Sequence, residues 1–177
     1  MTPRLAALIA TALIALFASA PACAADKVTA KLKRGDTPPP ELGLTRGGDE
    51  IQTTQFNGRV MVVTFWASWC GPCRKELTML EGLQQVAKDR VKVVAVNIEE
   101  RDVFKAVSRA LNSLTVTITN DPRQRYADAY GVNGIPHMAI IDATGKVRHN
   151  ALHPMHANDV ADKIDALFKV FNVKATA

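Results

Sequence analysis

The chain has 177 residues, 47% of them apolar and 22% charged, the balance of a globular protein and not of a disordered or fibrous one. Its 22 Lys and Arg against 17 Asp and Glu give a formal net charge of +5. That excess is scattered as single residues and short pairs, with no basic run interleaved with aromatics, so it gives no indication of nucleic-acid binding.

The first element in chain order is a leader. Met1 to Arg4 carry one positive side chain, Leu5 to Phe17 are apolar except for Thr11, and small residues follow. This is the layout of a secretory signal peptide. Ala18-Ser19-Ala20 offers the small residues that signal peptidase requires but is followed by Pro21, whereas Ala22-Cys23-Ala24 is not. Residues 1–24 therefore read as a signal peptide cut before Ala25, and 25–177 as one domain. Two alternatives stay open: an uncleaved anchor, since Leu5 to Ala20 falls just short of the roughly 17–25 residues that span a bilayer, and a lipoprotein acylated at Cys23. Loss of residues 1–24 removes Arg4 and Cys23, which lowers the net charge from +5 to +4 and leaves two of the three cysteines.

Residues 26–58 are rich in turn formers, among them Gly35-Asp36-Thr37-Pro38-Pro39-Pro40 and Arg46-Gly47-Gly48-Asp49, and read as an extended arm and a small hairpin. Val60 to Trp66 is a continuous β-branched and aromatic run that suits a central strand buried on both faces. Cys73 to Lys88 places Leu77, Leu80, Leu83, Val86 and Ala87 at helical spacing, and Val91 to Ile98 is a second buried strand, which completes a β-α-β unit. Arg101 to Leu114 repeats the helical spacing with Val103, Phe104, Val107, Ala110 and Leu111; Thr115 to Thr119 alternates as a short strand. Arg123 to Tyr130 reads as a helix stopped at Gly131. Met138 to Ile141, the turn Asp142-Ala143-Thr144-Gly145 and Lys146 to Ala151 form a hairpin, and an amphipathic helix runs from about Asn158 to Phe171. The order of elements predicts an α/β domain with a mixed sheet.

The chemistry concentrates at Trp69-Cys70-Gly71-Pro72-Cys73, between the buried strand and the first long helix. A cysteine at a helix N-terminus faces unpaired backbone N–H groups and the positive end of the helix dipole, which favour its thiolate. Cys70 is accordingly the expected nucleophile, and Cys73, one turn along the same face, the resolving thiol. Gly71 and Pro72 hold the sulfurs close, and Pro72 fixes φ without losing a needed donor. A zinc site needs four ligands and no second cysteine pair exists, and a structural disulfide would usually close a longer loop.

The segment Phe65-Trp66-Ala67-Ser68-Trp69-Cys70-Gly71-Pro72-Cys73-Arg74-Lys75-Glu76-Leu77 resembles the active-site segment of the thioredoxin superfamily, and more narrowly that of the TlpA/ResA/CcmG branch of exported bacterial proteins. Gly134-Ile135-Pro136 resembles the family's cis-proline loop, which implies that Ile135 and Pro136 face the substrate along with Trp69, Gly71 and Pro72. Between Cys73 and Pro136 lie 62 residues, more than a minimal thioredoxin carries, which implies a central αβ insert within Glu99 to Thr119. The resemblance implies a thioredoxin-like fold, with a central mixed sheet flanked by helices, an N-terminal hairpin and that insert. The activity implied is a thiol-disulfide oxidoreductase that needs no cofactor, located in the periplasm and acting as a monomer. Its partners would be protein disulfide or dithiol clients, of the cytochrome c maturation or copper-site assembly type, and a membrane electron donor of the DsbD type.

Three departures from the family stand out. Thioredoxin keeps a buried Asp where this chain has Thr64, and the lysine of its next strand is replaced by Val96. Glu76, three residues after Cys73, matches a glutamate of ResA-like proteins; it is either the missing proton acceptor or a solvent-facing helix residue. His137 stands where the family more often has Thr.

Two rival functions have some footing in the residues. A copper-handling protein would use Cys70, Cys73 and a cluster of His149, His153, His156 and Met155, which reads equally as a solvated loop. A peroxiredoxin-like peroxidase would carry a threonine three residues before its cysteine, where this chain has Ala67. Trp66 is expected in the core. Glu99 and Glu100 either line the site or form an exposed turn.

Overall fold

The computed structural model describes residues 32–152 together with positions 160, 162, 164–166 and 169, which are helical. The leader therefore lies outside the described residues, as do His153, Met155 and His156. The elements are β1 (Glu41–Leu44), β2 (Glu50–Gln52), β3 (Val60–Trp66), α1 (Gly71–Ala87), β4 (Val91–Asn97), α2 (Arg101–Ala110), β5 (Thr117–Asn120), α3 (Arg125–Ala129), β6 (His137–Ile141) and β7 (Val147–Leu152).

The strands form one mixed sheet in the order β2-β1-β5-β4-β3-β6-β7. β3, the apolar run, lies between β4, parallel to it, and β6, antiparallel, and all seven of its residues are buried. With a neighbour on each edge and packed side chains on each face, a continuous Val/Met/Phe/Trp run is what this position requires. One face of the sheet carries Val60, Val62, Trp66, Val93 and Ala95 against α1, with Val160 and Ile164 of the last helix. The other carries Val63, Phe65, Val94 and Val96 against Ala127 and Tyr130.

The expected hairpin is β1–β2, and β1 continues the sheet by pairing antiparallel with β5. Gly43 makes that pairing possible: its φ is +92°, and a Cβ there would stand 2.6 Å from the Asn120 carbonyl oxygen. The insert is α2 and β5, with β5 parallel to β4.

Three expectations need correction. The second helix ends at Ala110, four residues short of Leu114. Leu111 to Leu114 form turns, with Leu111 N–H on Ser108 O and Leu114 N–H on Leu111 O, where Asn112 and Ser113 offer the backbone alternatives to a helix. Val86 is 79% exposed, and the buried stripe of α1 runs through Cys73, Glu76, Leu77, Leu80 and Glu81 to Ala87. On α2 the buried residues are Phe104 and Ser108, while Val103 is exposed.

Candidate active site

The register of the sheet assembles the site. β3, β4 and β5 run parallel, and β6 runs antiparallel to β3 with His137 opposite Phe65. The segments after Trp66, Asn97 and Asn120 and the segment before His137 therefore meet at one end of the sheet. Cys70 and Cys73 follow the first of these strands, and Ile135 and Pro136 precede β6. The Ile135–Pro136 peptide is cis.

Cys70 is the N-cap of α1 and is joined to Cys73 by a disulfide, with Cα atoms 5.3 Å apart. The Cys73 N–H donates to Cys70 Sγ at 3.2 Å, so one of the unpaired donors of the first turn already points at this sulfur. Cys73 is completely buried and Cys70 nearly so. Around them Trp69 is 71% exposed, Pro72 is exposed, Gly71 and Ile135 are half-buried and Pro136 is buried. Trp66 lies in the core, as expected.

Glu76 is not a solvent-facing residue: it is 4% exposed, one turn from Cys73 on the buried face of α1. The Thr64 hydroxyl, itself fully buried on β3, donates to Glu76 Oε2 at 2.8 Å, and Oε1 is buried with no hydrogen-bond partner. Burial pushes the carboxyl up from its ordinary 4.5 to about 7, against the smaller opposing pull of the Thr64 bond. Thr64 cannot titrate, and the titrating group of this buried pair is Glu76. Val96 is buried among apolar residues.

Sequence reasoning missed one carboxylate, Glu81, and left a second, Glu99, between lining the site and an exposed turn. Glu81, in the buried stripe of α1, accepts the N–H groups of Thr115 and Val116 and the Thr115 hydroxyl at 2.9–3.1 Å, which ties the link between α2 and β5 to the active-site helix. Glu99 accepts both the N–H and the hydroxyl of Ser68, while Glu100 is exposed. For Glu81 the available signal was a Glu at the spacing of the apolar stripe.

Two sequence candidates are not brought into the site. His137 lies against Phe65 on the sheet face opposite α1, with ring centroids 6.2 Å apart, and its Nε2 pairs with Asn150 Oδ1 at 2.8 Å. His149 sits on β7. Among the described residues no group of three or more His, Cys, Asp or Glu is arranged to hold a metal ion. A groove of about 510 Å³ runs between α1 and α2, lined by Trp66, Ser68, Arg74, Leu77, Val107 and Leu111 among others.

The Redoxin family model matches residues 18–167. The chain is 28% identical to the thiol-disulfide oxidoreductase ResA of Geobacillus thermodenitrificans over 75% of its own length and 77% of that protein's. It is 31% identical to the thiol:disulfide interchange protein DsbE of Allochromatium vinosum, over 75% of this chain and 74% of the other. Among solved structures, the exposed lipoprotein thioredoxin of Streptococcus pneumoniae superposes with a TM-score of 0.64 at 25% identity, over 72% of this chain and 98% of that one.

Proposed function

The chain belongs to the Redoxin family as a thioredoxin-like thiol-disulfide oxidoreductase, and from that premise we propose that it reduces disulfides of exported client proteins, with Cys70 attacking and Cys73 resolving. The observation that carries the assignment of Cys73 as the resolving thiol is the buried Glu76 on its helix face, a group able to take the proton that the second thiol must lose.

In the reduced chain the Cys70 thiolate attacks one sulfur of the client disulfide. A mixed disulfide forms, and the client's other sulfur leaves as a thiolate that picks up a proton. Cys73 then passes its proton to Glu76 and attacks Cys70 Sγ, which forms the Cys70–Cys73 bond and releases the client's second thiolate. Two electrons have moved: the client holds a dithiol and the chain a disulfide. The burial of Cys73 raises the free energy of its thiolate, so a base within the same buried face is what the second step requires. Exposed Trp69 and Pro72, with half-buried Gly71 and Ile135, form the surface that receives the client, and the buried Pro136 adjoins it through its cis bond to Ile135. No metal or organic cofactor takes part.

Export follows from a leader in residues 1–24 removed before Ala25; among the described residues no helix is long and apolar enough to cross a membrane. In an oxidising compartment the disulfide form is reset by a membrane donor of the DsbD type, and the chain works as a monomer. The clients this reading expects, from the resemblance alone, are of the cytochrome c maturation or copper-site assembly class. The test is to express Cys73→Ser with its leader in a bacterium and identify the mixed disulfides by mass spectrometry. Recovery of exported dithiol proteins on Cys70 supports the reading; an absence of adducts, or adducts on Cys23, refutes it.

A further inference from the structure

At the carboxyl ends of β3, β4 and β5, polar contacts join the start of the insert to the turn that carries the nucleophile. Ala67 to Cys70 is a tight turn closed by the Cys70 N–H on the Ala67 carbonyl at 3.1 Å. Within it Ser68 donates twice to one carboxylate, its N–H to Glu99 Oε2 at 2.6 Å and its hydroxyl to Glu99 Oε1 at 2.7 Å.

Glu99 is itself held from both strands beside it. Asn97, fully buried at the end of β4, donates its Nδ2–H to Glu99 Oε2 at 2.8 Å and accepts the Glu99 N–H at 3.0 Å. Asn120, at the end of β5, donates its Nδ2–H to the Glu99 carbonyl at 2.8 Å, and the Ile98 N–H reaches the Trp66 carbonyl at 3.1 Å. Backbone and side chain of Glu99 are therefore fixed to strand ends, whereas Ser68 belongs to the turn. Partial burial works against ionisation of Glu99, but the bonds from Asn97 and Ser68 outweigh it and hold the carboxyl below its ordinary 4.5. All three bonds to the carboxylate are thus charge-assisted.

We propose that Glu99 is a positioning residue for disulfide exchange: seated on the ends of β4 and β5, its carboxylate clamps the Ala67–Cys70 turn and so keeps Cys70 Sγ over the first turn of α1. The proposal rests on the reading of Cys70 as the attacking thiolate. It also gives the insert a part in the chemistry, because the clamp stands at the insert's first residue.

A carboxylate near a thiolate can act in two opposed ways, and this makes the proposal testable. As an anion it would disfavour the thiolate and slow attack; as a clamp it holds the sulfur where the helix favours attack. The geometry points to the clamp, because both carboxylate oxygens are engaged by donors of the turn and the strand.

The test measures, in the reduced full chain at one near-neutral pH, the rate of Cys70 alkylation and of exchange with a small aromatic disulfide. Glu99→Ala should lower both rates by about 10-fold to 10²-fold, the scale on which displacement of a reacting group acts. Glu99→Gln can still accept the Ser68 N–H and can donate to the Ser68 hydroxyl, so it should recover most of that loss. Ser68→Ala, which removes one of the two bonds and leaves the backbone one, should fall between Glu99→Ala and the parent. Faster reaction in both Glu99 variants, parent-like rates in Glu99→Ala, or no recovery in Glu99→Gln would overturn the clamp. Should Glu99→Ala fail to fold, Ser68→Ala decides alone: slower than the parent supports the proposal, equal to the parent refutes it. A wrong nucleophile assignment reads out separately, because peptide mapping of the labelled parent would then find Cys73 alkylated first.

Discussion

Replacing Glu76 by Gln removes one titrating group from the interior while keeping its shape and its capacity to accept the Thr64 hydroxyl. In the disulfide form Glu76 ionises at about 7 in place of its ordinary 4.5. A carboxyl whose pKa is raised by folding binds its proton more tightly in the native state. Its contribution to stability is complete below the unfolded value, falls as pH rises, and is gone once pH passes the folded value. At 1.36 kcal/mol per decade of proton concentration, that interval is worth about 3 kcal/mol. Gln pays no such penalty at high pH. It does bury an amide donor where Oε1 now has no partner, at a cost of about 1–3 kcal/mol that is independent of pH and leaves the slope unchanged. Urea unfolding of both oxidised proteins across the range should therefore show the stability gap moving by about 3 kcal/mol in the variant's favour from about pH 4 to about pH 8.5. Parallel stability curves would refute the burial argument. In the reduced protein the same substitution should slow resolution of the mixed disulfide by at most about 10²–10⁴-fold.

Trp69→Ala should leave stability within about 0.5 kcal/mol, because the side chain is 71% exposed. It should slow exchange with a protein disulfide more than with a small one, as stopped-flow rates would show. Glu81→Ala removes the acceptor of the Thr115 and Val116 N–H groups and should cost roughly 1–3 kcal/mol by urea unfolding. Burial is outweighed there by the hydrogen bonds, which hold the Glu81 carboxyl below its ordinary 4.5. This contribution is present above the unfolded value and lost as pH falls through the folded one, so the gap to the parent should narrow in acid.

The central strand and the cysteine-bearing helix were legible because their causes are local. A seven-residue apolar run leaves a strand little choice but the centre of the sheet, and Cys70, Gly71 and Pro72 carry their own N-terminal signals. The hairpin β6–β7 was legible for the same reason, through Asp142 to Gly145. The polar half of the core was not. Glu76 could be read either as a proton acceptor or as a solvent-facing residue, Glu81 looks like a surface residue of an amphipathic helix, and Val86 looks like core, until partners are known. Those partners lie far along the chain: Thr64 is 12 residues from Glu76, and Thr115 is 34 from Glu81. Hydrophobic periodicity cannot register a carboxylate satisfied from another element. Glu99 reads either as lining the site or as an exposed turn, but its partner Ser68, 31 residues away, was not legible for the same reason. His137 beside the proline reads in the sequence only as a departure from the family's Thr; strand alternation turns it to the face of Phe65, away from α1.

The two cysteines divide the labour of exchange between them, and one assay reads that division. With a protein disulfide as substrate, Cys70→Ser should show no reduction, while Cys73→Ser should accumulate a covalent adduct on Cys70, seen as a mass shift that dithiothreitol reverses. Near-parent turnover by Cys70→Ser, or an adduct found on Cys73 with Cys70 free, would contradict it.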